Sequence, residues 1–116
     1  MVKREVVGAH YGLRDWLAQR VTAVIMAVCT VVILAAIAGL PRTMDYLQWK
    51  LLWQTPAVSY TTILFIASLL FHAWIGMRNI FMDYVKNPGL RLALYVLTIG
   101  ALLVYAFWSI QILWSL

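Results

Sequence analysis

His72 lies inside a long uncharged apolar run, Gln54 to Met77, with no other ionisable side chain within five residues on either side. A titratable group in hydrocarbon is costly to leave unpaired, so such a residue marks a candidate functional site. A lone histidine in a helical membrane protein suits haem ligation, proton handling or ligand binding; hydrogen bonding to a neighbouring helix for packing alone is the plain alternative. An imidazole can bind iron through one nitrogen while the other orients the ring. Gly76, one turn on, leaves room for a flat, bulky partner beside the ring and favours haem.

Other groups that can do chemistry flank this run. Asp83-Tyr84 follows it at a membrane surface. There Tyr84 can donate a hydrogen bond to a carbonyl and Asp83 can hold a cation, an arrangement suited to a quinone; a belt tyrosine and a solvated carboxylate are the ordinary readings. Arg20 enters at the same level, where it can pair with haem propionates or snorkel as an anchor. His10 reads as a surface histidine and Cys29, the single cysteine, as a packing residue. One cysteine gives neither a disulfide framework nor a thiolate metal site within the chain.

The elements that position these groups follow from hydropathy. The 116 residues are 65% hydrophobic and 11% charged, outside the range of soluble domains. Charge is absent from Val21 to Pro41, from Leu51 to Met77 and from Leu92 to Leu116. Each run is long enough for a helix to cross a bilayer of roughly 30 Å. The expectation is an all-α membrane protein with three transmembrane helices, at about 17–40, 59–80 and 90–116, in a single domain covering 1–116. Residues 1–16 form a polar lead loosened by Gly8 and Gly12, with Asp15 placed to cap the first helix. Met44, Leu47 and Leu51 face away from Tyr46, Trp49 and Trp53, which predicts a short interfacial helix within about 43–54, with Pro56 breaking the chain after it.

The net charge of +5 is distributed as a topology signal rather than a nucleic-acid footprint. Seven cations (Lys3, Arg4, Arg14, Arg20, Arg78, Lys86, Arg91) precede the first helix or lie between the second and third, against two (Arg42, Lys50) between the first and second. The bias places the N-terminus in the cytoplasm and the C-terminus outside. A cleaved signal peptide is not expected, because the first apolar run is too long and too far from the start.

On the second helix, at about 100° per residue, Thr61, Phe65, Ser68, Gly76, Asn79 and Asp83 fall within about 40° of His72. The opposite face, with Ile63, Ile66, Leu70, Trp74 and Met77, suits lipid, so His72 is expected to point into a bundle. It lies six residues before Arg78, about 9 Å inside the cytoplasmic boundary. No second intramembrane histidine exists, so a six-coordinate haem would take its other ligand from another polypeptide.

The run His72-Ala73-Trp74-Ile75-Gly76-Met77, followed by Asp83-Tyr84-Val85, resembles the small hydrophobic anchor, the D subunit, of bacterial succinate dehydrogenase. Gly12, Asp15 and Arg20 are similar to a second, weaker motif of that family, and Arg14 stands where some relatives carry histidine. The resemblance implies a non-catalytic subunit of respiratory complex II in the bacterial inner membrane. Its partners would be a flavoprotein that oxidises succinate, an iron-sulfur protein, and a second three-helix anchor, the C subunit. The two anchors would sandwich one haem b, with His72 as an axial ligand and Arg20 near the propionates. Tyr84 would hydrogen-bond ubiquinone and Asp83 would support that site. The alternatives are the anchor of a fumarate reductase, a small membrane transporter, and a purely structural assembly factor. The transporter is disfavoured because intramembrane carboxylates are expected to be lacking.

Overall fold

The computed structural model describes the backbone of residues 6–116 and the side chains of residues 13–116. Lys3 and Arg4, which enter the topology argument, and the His10 side chain lie outside the described residues. Among those described the chain is all-helical: α1 (Val6–Ala38), α2 (Tyr46–Gln54), α3 (Pro56–Tyr84) and α4 (Pro88–Ser115). Three of these helices are long and apolar enough to cross a membrane, over Leu13–Ala38, Pro56–Tyr84 and Pro88–Ser115.

The start of α1 corrects the sequence expectation. The lead is helical from Val6, and Asp15 lies inside the helix instead of capping it. Extending an existing helix adds a hydrogen bond per residue without a new nucleation cost, so Gly8 and Gly12, at about 1 kcal/mol each, do not interrupt it. The far end behaves as Gly39 and Pro41 predict. The Gly39 amide donates to the carbonyls of Ala35 and Ala36 at 3.2 and 3.3 Å, and the chain then turns.

Local signals set the other boundaries. Asp45 and Gln48 form a reciprocal capping box at the start of α2: the Gln48 amide donates to Asp45 Oδ1 at 2.9 Å, and the Asp45 amide donates to Gln48 Oε1 at 3.1 Å. Trp49 and Trp53 meet edge-on within this helix, with centroids 5.4 Å apart. Pro56 does not leave a gap before α3. It occupies the first turn of that helix, where its missing N–H costs nothing, so only Thr55 separates α2 from α3. Asn87 caps α4, accepting from the amides of Gly89 (2.9 Å) and Leu90 (3.2 Å) through Oδ1. Arg91 reaches back to the Val85 carbonyl through Nη2 at 2.8 Å, which pins the short α3–α4 connection.

The central helix is α3, packed mainly against α1 and, on another side, against α4. Its 29 residues extend about 43 Å, more than the roughly 30 Å of hydrocarbon, so its ends project towards the membrane surfaces. The face expected to meet lipid instead receives α4. Tyr95 of α4 lies against both Trp74 (5.9 Å, edge-on) and Phe81 (6.1 Å), and Ile66 and Leu70 share a groove with Ala106 and Leu113. Aromatic side chains gain from such edge contacts beyond simple area burial, which outweighs leaving Trp74 in lipid. Asp15 and Asp83 also lie within the spanning helices, each within a turn of an end, contrary to the expectation that no carboxylate falls in a span.

Gly76 faces α1, where a Cβ in its place would meet Gln19 Nε2 at 3.4 Å, an ordinary contact with the end of a flexible side chain. Gly76→Ala should therefore be tolerated. Gly76→Leu should push the helices apart and destabilise their pairing by about 1–3 kcal/mol, the usual cost of overpacking. Thermal unfolding of both variants in mild detergent checks this, and equal melting temperatures for Leu and Ala would contradict it.

Candidate functional site

The α1–α3 seam brings polar residues together in antiparallel register. Asp15, Gln19 and Thr22 share one face of α1, spaced at i, i+4 and i+7. In the same order they meet Arg78, Gly76 and His72 of α3. The outermost rung is an ion pair between the Asp15 carboxylate and the Arg78 guanidinium, both partly exposed. At the innermost rung Thr22 Oγ1 lies 2.9 Å from His72 Nδ1. Thr22 is buried and the His72 ring is half-buried, so the histidine is tied to α1 while part of it remains open. Further along the same face of α1, Cys29 is buried as a packing residue.

The space beside Gly76 is not free for a flat ligand, as the spacing had suggested, because Gln19 fills it. The opening lies next to it. Asp15, Trp16, Gln19, Arg20 and Asn79 line a pocket of about 430 Å³. The Arg20 guanidinium stacks over the Trp16 ring at 5.4 Å, and Gln19 Oε1 is buried with no hydrogen-bond partner. A cation and two side-chain amides around an open pocket are chemically suited to carboxylates. The pocket begins one turn from His72 at Gln19 and reaches Asn79, two turns away.

These residues fit a haem. The ring of His72 is held through one nitrogen, leaving the other for iron, and Arg20 with Asn79 supplies the polar end that propionates need. Among the described residues no group of three or more His, Cys, Asp or Glu side chains is placed to hold a metal ion.

The structure does not bring Asp83 and Tyr84 to His72. They occupy the last turn of α3, about 16–18 Å further along its axis. Tyr84 is 79% exposed and borders none of the main cavities formed by the described residues. Nor does the cation expected beside Asp83 come from the described residues: Arg78, on the same helix, is bound to Asp15 instead. Arg14 faces that ion pair across a second opening, which it lines with Asp15, Arg78 and Met82.

Sequence reasoning missed Gln19, Thr22 and the Asp15–Arg78 pair. The usable signal was the i, i+4, i+7 polar stripe Asp15-Gln19-Thr22, which becomes visible only if α1 is allowed to begin before Asp15.

The sequence of this chain matches, over residues 2–108, the family model described as succinate dehydrogenase/fumarate reductase transmembrane subunit. It is 40% identical over 103 residues to a protein of Coxiella burnetii named succinate dehydrogenase hydrophobic membrane anchor subunit, covering 89% of each chain. Proteins of the same name from Rickettsia felis and Rickettsia bellii are 33% and 29% identical, covering 82% and 93% of this chain and 79% and 92% of the relatives. A three-span helical chain with a histidine on its central helix, matched by that model over almost its whole length, belongs to the succinate dehydrogenase/fumarate reductase transmembrane subunit family.

Proposed function

We propose that this chain is the hydrophobic membrane anchor of a bacterial succinate dehydrogenase, contributing one axial ligand to a haem b and part of a ubiquinone site. The observation that carries the reading is the His72 ring held to α1 through Nδ1, beside a pocket that offers Arg20 and Asn79 to carboxylates. The relatives' names favour succinate oxidation over the fumarate reductase alternative. A transporter is disfavoured because both carboxylates of the spans, Asp15 and Asp83, lie within a turn of the end of their span rather than at mid-membrane, and Asp15 is paired with Arg78.

In this reading His72 supplies its second ring nitrogen to iron, and Arg20, kept in place by its stacking on Trp16, pairs with propionates. A bound haem b supplies one-electron storage within the membrane. Since the described spans hold no other histidine, any further histidine ligand to that haem would have to come from a second anchor subunit. Much of α4 is open for such a partner, with no buried residue along its length and Phe107 and Trp114 at 68% and 87% exposure. A flavoprotein and an iron-sulfur protein would dock at the cytoplasmic side, where the positive-inside bias places the ends of α1 and α3 near Arg14, Arg78 and Lys86.

Tyr84 sits at that same end. A phenol can donate to a quinone carbonyl as negative charge develops during reduction, an interaction worth more in a partly dry pocket than in water. The exposure of Tyr84 suits a site completed by partner subunits, which would also provide the cation for Asp83.

In the assembled complex, His72→Leu should abolish or strongly alter the reduced b-type absorption spectrum; an unchanged spectrum and midpoint potential refute ligation. Tyr84→Phe should lower succinate-to-quinone turnover at least roughly tenfold while sparing reduction of a soluble dye by the flavoprotein. Wild-type quinone turnover together with wild-type affinity for quinone-site inhibitors would reduce Tyr84 to an interfacial anchor.

A further inference from the structure

We infer that Thr22 is a positioning residue for the haem ligand: its hydroxyl fixes the His72 tautomer, so that Nδ1 carries the proton and Nε2 faces the iron. The inference rests on the reading of His72 as an axial ligand. Its basis is a count of hydrogens. A threonine hydroxyl has one proton to give, and Thr22 Oγ1 lies 2.7 Å from the Ala18 carbonyl and 3.2 Å from that of Gln19, both preceding it on α1. Back-bonding to the i−4 carbonyl is the habitual geometry of a threonine inside an apolar helix. With its proton directed there, Oγ1 presents lone pairs to His72 Nδ1 at 2.9 Å, and the ring nitrogen must be the donor. Thr22 is only 7% exposed, so water has little access to reverse the arrangement.

The opposite tautomer would set the Nδ1 lone pair against those of the hydroxyl, or force Thr22 to abandon Ala18. The seam therefore selects the form of the imidazole that can bind metal through Nε2. It also sets the donor strength of the ring. An Nδ1–H bonded to a neutral oxygen pushes less electron density to the metal than one bonded to a carboxylate, and more than one with no acceptor. Loss of the acceptor should therefore stabilise the reduced iron relative to the oxidised form, raising the midpoint potential.

The test uses the assembled membrane complex, with Thr22→Val to remove the acceptor at similar volume, Thr22→Ala to remove it without bulk, and Thr22→Ser to keep it. The Val and Ala variants should show a positive shift of the haem midpoint potential in redox titration and a roughly 10- to 100-fold weaker hold on haem. Thr22→Ser should restore both. Three outcomes overturn the inference: Val and Ala variants with wild-type potentials; less complex but an unshifted potential in what assembles; or failure of both Val and Ala variants to assemble, which makes Thr22 a support of the helix pair alone. His72→Leu, measured alongside, separates this from the reading beneath it. An unchanged spectrum there removes the ligand itself, whereas loss of haem there with no shift in the Thr22 variants removes only the role of Thr22.

Discussion

Polar side chains inside a bilayer have no water to fall back on, so those on adjacent helices must satisfy one another or remain costly. In this protein that constraint acts at the α1–α3 seam. Asp15 pairs with Arg78, Thr22 faces His72, and Gln19 packs against α3 at Gly76. The three contacts fall in one antiparallel register. Sliding α1 by a single turn, about 5.4 Å, would separate all of them together. The orientation of His72 is thus a property of the helix pair more than of α3 alone.

Around this seam the rest of the chain is open. The α4 helix adds to the other side of α3 through Tyr95, between Trp74 and Phe81, yet buries none of its own residues. The α2 helix lies beside the start of α3, held by its capping box and by the single-residue joint at Thr55. The outcome is one firm pair of helices with large apolar surfaces left over, which suits a subunit completed by others. Function is divided along α3 in the same way: the haem reading belongs to the mid-helix level of His72, and the quinone reading to the exposed last turn at Tyr84.

Hydropathy made the three spans legible, because length and the absence of charge are enough to identify a bilayer-crossing helix. The alternation of aliphatic and aromatic residues likewise marked α2, though its cap at Asp45 went unread beside Gln48. His72 stood out for a reason equally local, as the one histidine in an uncharged apolar run. What stayed hidden depended on a second helix. Asp15 looked like a cap because its partner, Arg78, is 63 residues away. Thr22 passed unread in an apolar run, and Gly76 looked like a vacancy where Gln19 in fact packs. The Ile66–Leu70–Trp74 face was apolar enough for either lipid or another helix, and only Tyr95 decided between them. At Asp83 and Tyr84 no main cavity forms among the described residues, so nothing in the fold singles out the pair that the sequence marked.

With α1 holding His72 by Nδ1, Nε2 is the nitrogen left to face a haem iron. A cryo-EM map of the assembled complex, at a resolution that orients the imidazole, tests it most directly. The expected result is His72 Nε2 as the atom on the iron, with Nδ1 still within hydrogen-bond distance of Thr22 Oγ1. An iron bound through Nδ1, a His72 ring directed away from any haem, or an α1–α3 register that separates Thr22 from His72 would contradict it.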